Sequence, residues 1–496
     1  MTETEADRLS TGVPGLDSIL RGGVIDGRSY MLNGAAGAGK TILGFHFLQA
    51  GLAADETVLF INLEEDLADL RANAATLEFD VDEMEFLDLS PSADVFTEDR
   101  SYDIFEAADV EQEPLTETIV EHVEAVEPDR VVVDPLTQLY YLTSGEYQFR
   151  KQAIGFMRFL KQVGATVLFT TQETGRLPTD DLQYISDGTI QLMVTQAGRR
   201  VTVPKFRGSA TTGGTHAYRI TDEGISVYPE LGVTETEHRS TLEPLSSGVP
   251  EIDELLNGGL NAGTVSIISG PTGVGKTTLG TQFMKEAAGR GDRSVIYLFE
   301  ENKQTFLTRS EAVNLPVERM IDRGTLHIEE IEALDLSPQE FAAHVTHQVE
   351  DEGTSLVMID GIAGYRLSLR GEESRTVERL HALGRYLKAN GVTTIFVDET
   401  SDVTGEFHAT QENVSYLADN IVFLRHLELQ GELRKAIGVL KKRTSDYERT
   451  LRRFEITQHG IKVGEPLTRL RGILSGTPET VPERSAETDS EPSTRF

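Results

Sequence analysis

Two octapeptides in this chain have the composition and spacing needed to wrap phosphate. Residues 34–41 read GAAGAGKT and residues 270–277 read GPTGVGKT, both fitting G-x-x-x-x-G-K-[ST]. The glycines Gly34, Gly37 and Gly39, and Gly270, Gly273 and Gly275, let the backbone turn its N–H groups toward phosphate oxygens. Lys40 and Lys276 are placed to reach the β- and γ-phosphates of a nucleoside triphosphate, and Thr41 and Thr277 to ligate Mg²⁺. Thr278 follows in the second ATP-binding set. Each loop comes directly after an apolar run and before a helical pattern, so a helix N-terminus adds partial positive charge at the same point.

Acids stand where such a loop needs them. Asp134 and Asp360 end runs of β-branched and apolar residues, RVVVD and LVMID, and an acid at that edge can hold the Mg²⁺ shell. Adjacent glutamates, Glu64–Glu65 and Glu300–Glu301, follow another apolar run in each half. A carboxylate at the carboxyl edge of a parallel sheet can orient or deprotonate an attacking water or hydroxyl. Two adjacent acids resist ionising together, which favours one of them as a base near neutral pH. Glutamates also suit the first turn of a helix, and the two roles are compatible.

The elements that must position these groups come in two copies. LSTGVPGLDSILRGGVIDG begins at Leu9 and LSSGVPEIDELLNGGLNAG at Leu245, 236 positions later. The same offset relates the two phosphate loops, the two glutamate pairs, and PKFRG around Lys205 and Arg207 to LKKRT around Lys441 and Arg443. Four motifs at one offset establish duplication. Asp134 and Asp360 are only 226 apart, so the first copy carries ten extra residues, expected in the acidic stretch 91–113. The second copy recovers that length later, in part around 401–415.

Strands are expected at 30–33, 58–63, 130–134 and 166–170, with counterparts at 265–269, 294–299, 356–360 and 393–397. Strands alternating with helical patterns predict an α/β fold, with a mainly parallel sheet flanked by helices in each half. The expected organisation is a first domain over 1–232, a linker over 233–244, a second domain over 245–475 and an acidic, disordered tail over 476–496.

Composition removes several classes of function. The 496 residues contain no cysteine, which excludes disulfides, thiolate metal sites and cysteine nucleophiles. The N-terminal sequence does not read as a signal peptide, and there is no apolar run of membrane-spanning length, so a cytoplasmic location is expected. The net charge of −35 argues against a nucleic-acid binder that neutralises phosphates with a basic stripe. Only 12 of the 46 basic residues are lysine. An acid-rich, lysine-poor chain resembles proteins of salt-adapted archaea, where about 1 M salt shortens the Debye length to ~3 Å and screens self-repulsion.

The opening S-[TS]-G-V-P-x-x-D-x-x-L-x-G-G, the phosphate loop, the double glutamate and the late K-x-R together resemble KaiC and the KaiC-like proteins, tandem RecA-superfamily P-loop ATPases. The resemblance covers residues 8–476 and implies two RecA-like domains in a double-ring homohexamer with ATP between subunits. It implies catalytic roles for Glu64 and Glu300 with Glu65 and Glu301. It also implies that Lys205, Arg207, Lys441 and Arg443 reach a neighbour's γ-phosphate, a placement that would stabilise charge in phosphoryl transfer.

The family's second domain also phosphorylates itself on an adjacent Ser–Thr pair. The matching stretch here is TQENVSYLADNIVFL: Ser415 matches the serine, Tyr416 replaces the threonine, and Thr410 matches a further hydroxyl residue. A single-site autokinase at Ser415 is the resulting expectation. Gly361 and Ala363 also depart from the family, which tends to have serines there. Expected partners are the chain itself and unidentified regulatory proteins. The competing functions are a DNA-handling ATPase on the same fold and an ATP-gated assembly scaffold without kinase activity.

Overall fold

The computed structural model describes residues 7–91, 112–143, 145–172, 179–196, 198–232, 243–332, 335–368, 376–400, 414–473 and 479–480. Residues 92–111 of the acidic stretch expected to hold the ten extra residues, and Thr410, lie outside these. The chain divides into two compact units, Met1–Glu230 and Leu231–Phe496.

Each unit is built on a nine-stranded sheet. In the first, the strands are β1 (Ser29–Gly34), β2 (Val58–Asn62), β3 (Glu85–Asp88), β4 (Arg130–Asp134), β5 (Thr166–Gln172), β6 (Gly188–Thr195), β7 (Gly198–Phe206), β8 (His216–Thr221) and β9 (Gly224–Tyr228). Their spatial order is β9-β8-β7-β6-β1-β5-β4-β2-β3. The second unit repeats this with β10 (Val265–Gly270), β11 (Ser294–Leu298), β12 (Leu326–Glu330), β13 (Leu356–Asp360), β14 (Thr393–Glu399), β15 (Asn420–Leu429), β16 (Glu432–Lys442), β17 (Arg452–Thr457) and β18 (Gly460–Pro466). Its order, β12-β11-β13-β14-β10-β15-β16-β17-β18, is the same arrangement read from the other edge.

The six strands from β6 to β3 run parallel, and β7 to β9 extend the sheet antiparallel. The central parallel strands are buried along almost their whole length, as strands covered on both faces must be. Accordingly each unit has two apolar layers. One, in the first unit, gathers Leu43, Phe47, Phe60 and Val132 beneath the helix Lys40–Leu52. The other gathers Leu59, Val131, Val133, Phe149 and Leu160 on the opposite face, beneath the helix Glu146–Gln162.

The expected strands are all present. The edge strands β3 and β12, the parallel strands β6 and β15, and the antiparallel extensions are additions that the four-strand reading did not contain. Within the segment expected to be a tail, Glu479–Thr480 pairs antiparallel with Leu470–Arg471.

The repeated opening motif has a structural explanation. Asp17 accepts hydrogen bonds from Ser10 Oγ (2.6 Å), Thr11 Oγ1 (2.6 Å) and Thr11 N (2.8 Å). Asp253 accepts from Ser246 Oγ (2.6 Å), Ser247 Oγ (2.8 Å) and Ser247 N (2.7 Å). The S-[TS]-G-V-P-x-x-D spacing thus closes a turn onto a short helix that begins at proline, a favoured first helical residue.

Candidate functional site

Strand order places the chemistry. In each unit the phosphate loop leaves the central strand, β1 or β10, and enters a helix at Lys40 or Lys276. The residue before each helix, Gly39 or Gly275, has a left-handed backbone, φ 93° or 114°, which glycine adopts without strain. At Gly39 a side chain would also strike Ile220, whose Cδ1 lies 2.9 Å from where a Cβ would sit.

The loop lysines are buried, and each hydrogen-bonds its own loop. Lys40 Nζ donates to the carbonyls of Gly34 (2.9 Å) and Ala35 (3.0 Å), and Lys276 Nζ to that of Pro271 (3.1 Å). Thr278 is buried in the first turn of its helix. The next threonine–acid contact is the same in both units. Thr41 Oγ1 donates to Asp134 Oδ2 at 2.6 Å, and Thr277 Oγ1 to Asp360 Oδ1 at 3.2 Å. Hydroxyl and carboxylate oxygens side by side are the hard donors that Mg²⁺ prefers.

Burial pushes both aspartates up from the ordinary carboxylate range. Asp134 is raised by desolvation, against hydrogen bonds from Thr170 and Thr41 and the charge of Lys40. Asp360 is pushed up to about 6, again mainly by desolvation, with Glu301 and Glu300 adding to it and Thr277 and Arg309 opposing it.

The glutamate pairs lie in the turn between the second strand and the following helix. They precede the helix caps: Asp66 accepts from Ala68 N and Asp69 N, and Asn302 from Thr305 N. The glutamates are therefore not needed as first-turn residues.

Their surroundings differ between the units. Gln172 Nε2 donates to Glu64 Oε2 (2.7 Å), and both Glu64 and Glu65 are raised, chiefly by desolvation and then by Asp134. In the second unit Arg309 Nη2 donates to Glu301 Oε1 (2.6 Å), partly opposing the upward push of burial on that carboxyl. Asn73 occupies the position equivalent to Arg309. Glu300 Oε1 accepts from Gly364 N (3.3 Å) and packs on Gly361, where φ is +103° and a Cβ would lie 2.8 Å from the Glu300 carboxyl carbon. Glycine at 361 is thus matched to this placement of Glu300.

The K-x-R residues make parallel contacts in the two units, with one more carbonyl for the lysine of the first. Lys205 Nζ donates to the carbonyls of Ser186 (2.6 Å) and Gln183, and Arg207 Nη2 to that of Tyr184 (3.5 Å). Lys441 Nζ donates to the carbonyl of Ser415 (2.8 Å) and Arg443 Nη2 to that of Tyr416 (3.1 Å). Ser415 is half-buried in a 3₁₀ turn, Val414–Tyr416.

Some contributors were not identified from sequence. Thr170 donates to Asp134 Oδ1. Arg199 Nη1 donates to the carbonyl of Gly37 (2.8 Å), and Lys435 Nζ, 236 positions later, to that of Gly273 (2.9 Å). A basic residue at the same place in both copies was the available signal.

Fold and site together define a tandem α/β nucleotide-binding ATPase with one phosphate loop, one strand-end acid and one glutamate pair per unit. The family model described as "ATPase: KaiC" matches residues 9–232 and again 245–468, so the chain belongs to the KaiC ATPase family. It is similar to the circadian clock oscillator protein KaiC of Acaryochloris marina, with 27% identity covering 97% of this chain and 92% of that one. The protein of the same description from Synechococcus elongatus is also 27% identical, with 96% and 93% covered. That from Parasynechococcus marenigrum is 27% identical, with 98% and 96% covered. Among the described residues, no helix is long and apolar enough to cross a membrane.

Proposed function

We propose that this KaiC-family ATPase is a cytoplasmic regulatory protein that works as a homohexamer, binds ATP with Mg²⁺ at both loops, and phosphorylates itself at Ser415. Mg²⁺ at the Thr41–Asp134 and Thr277–Asp360 pairs would neutralise charge on the β- and γ-phosphates. In the hydrolytic reaction Glu64 or Glu300, with Glu65 or Glu301 beside it, takes a proton from the attacking water. In the kinase reaction the Ser415 Oγ attacks the γ-phosphorus and the bond to the β–γ bridging oxygen breaks. ADP leaves, and the hydroxyl proton passes to Glu300. Lys205, Arg207, Lys441 and Arg443 are assigned to the neighbour's γ-phosphate.

The supporting observation for the kinase reading is that the K-x-R grip, common to both units, falls on Gln183 in the first and on Ser415 in the second, so only the second presents a serine hydroxyl at that position. It joins the candidate acceptor and the assigned interface cations in one cluster. The charge of −35 weighs against a DNA-handling role, and partners are expected to be regulatory proteins.

Intact-mass spectrometry after incubation with Mg·ATP at high salt tests this. A phosphate adduct lost in both Glu300→Gln and Ser415→Ala is the expected result. An adduct that survives Ser415→Ala moves the acceptor, with Thr410 and Tyr416 next. ADP formation with no adduct refutes the kinase assignment and leaves an ATP-driven switch.

A further inference from the structure

The two phosphate loops are matched in backbone but not in charge. The last residue of β5 is Gln172 and that of β14 is Glu399, and each is in parallel register with the first loop residue, Gly34 or Gly270. At the third loop position, 236 apart, the first unit has Ala36 and the second Thr272. These differences meet in space. Thr272 Oγ1 donates to Glu399 Oε1 at 2.7 Å, and Glu399 Oε2 lies 4.0 Å from Lys276 Nζ. In the first unit the neutral Gln172 is turned instead to Glu64.

We propose that Glu399, held to the second phosphate loop through Thr272, is an affinity-setting residue that makes the second site bind nucleotide more weakly than the first. The proposal rests on the reading of both loops as nucleotide sites. Glu399 acts in two ways. Its charge opposes the phosphates that the loop wraps, and it partly neutralises the lysine that attracts them. Strand pairing to β10 prevents Glu399 from retreating far, and the Thr272 hydroxyl fixes the carboxylate on the loop side. Gln172 supplies neither effect. Unit charges a few ångströms apart at a protein surface change a binding constant by on the order of ten-fold once screened. Because the Glu399 side chain is 38% exposed, salt must weaken the effect.

The test is calorimetric titration of the full-length chain with Mg·ADP, with Lys40→Ala silencing the first loop. In that background Glu399→Gln is expected to tighten binding by roughly ten-fold, and Thr272→Ala, which keeps the charge but frees it from the loop, by roughly two- to three-fold. Raising KCl from about 0.2 M to about 2 M is expected to narrow the gap between Glu399→Gln and its parent. The reciprocal change, Gln172→Glu in a Lys276→Ala background, is expected to weaken the first site, and it provides the test if Glu399→Gln does not fold. Unchanged or weaker binding in Glu399→Gln overturns the proposal, as does a gap indifferent to salt. If the Lys40→Ala, Lys276→Ala double variant still binds Mg·ADP, the underlying assignment of the loops fails instead.

Discussion

Replacing Asp360 by asparagine should stabilise the nucleotide-free protein while removing a residue the site needs. The carboxyl ends β13 and is pushed up from 3.8 to about 6, mainly by desolvation. That displacement corresponds to about 3 kcal/mol. Relaxation of the surroundings and water entry around the buried charge reduce the expected gain to about 1–2 kcal/mol. Asparagine keeps the shape and an oxygen to accept from Thr277 Oγ1, so little is lost in exchange.

The pH dependence has a definite sign. Between 3.8 and about 6 the folded chain holds this proton while the unfolded chain has released it, so stability falls as pH rises through that window. Above it the whole penalty is present. Scanning calorimetry in chelator, without nucleotide, should give the second unit of Asp360→Asn a Tm roughly 3–6 °C above wild type at pH 8. The gap should close as pH falls toward 4. With Mg·ADP present the order should invert, because the charge then has a cation to hold. A lower Tm for the asparagine variant in chelator, or a gap that is the same at pH 5 and pH 8, would refute the reasoning.

Two further substitutions probe the site and its support. Gly361→Ser tests the room that glycine leaves beside Glu300. It places a side chain at φ +103° against the Glu300 carboxyl, at an expected cost of about 1–3 kcal/mol, and should reduce ATP turnover at the second site; unchanged turnover and Tm would refute this placement of Gly361 and Glu300. Asp17→Ala strands three donors in the opening turn of the first unit and should lower its stability by about 1–3 kcal/mol in urea unfolding. Ser10→Ala, which removes one donor and leaves Asp17 two partners, should cost less.

Much of this was legible because duplication supplied an internal control. Four of the six parallel strands were visible as apolar runs, two of them running into acids, since a strand buried on both faces has no room for alternation; β6 was not, because Gln191 and a half-open end interrupt its apolar run. β3 was not, because EFLD is a short edge strand whose residues are mostly half-buried or exposed. The antiparallel strands β7 to β9 were also missed apart from the K-x-R region. Their sequences mix Arg, Thr and Gly with apolar residues, as suits a sheet half open to solvent. At the site, loop spacing identified Lys40 and Thr41, and strand ends identified Asp134. The spacing could not reveal that Arg309 binds Glu301 or that Gln172 faces Glu64, since those contacts depend on side-chain direction across elements remote in sequence.

The K-x-R grip also bears on how easily a ring could form and come apart. In the single chain Lys205, Lys441 and Arg443 already have carbonyl acceptors. If these cations turn to a neighbour's phosphate, assembly exchanges one set of hydrogen bonds for another instead of adding a new set. The gain on assembly is then only the difference between a charged phosphate and a neutral carbonyl as acceptor, smaller than that of a wholly new set of bonds. The vacated carbonyls lie just before β6 and β15, the strands that flank β1 and β10. A subunit losing its neighbour would therefore register that loss next to its own phosphate loops.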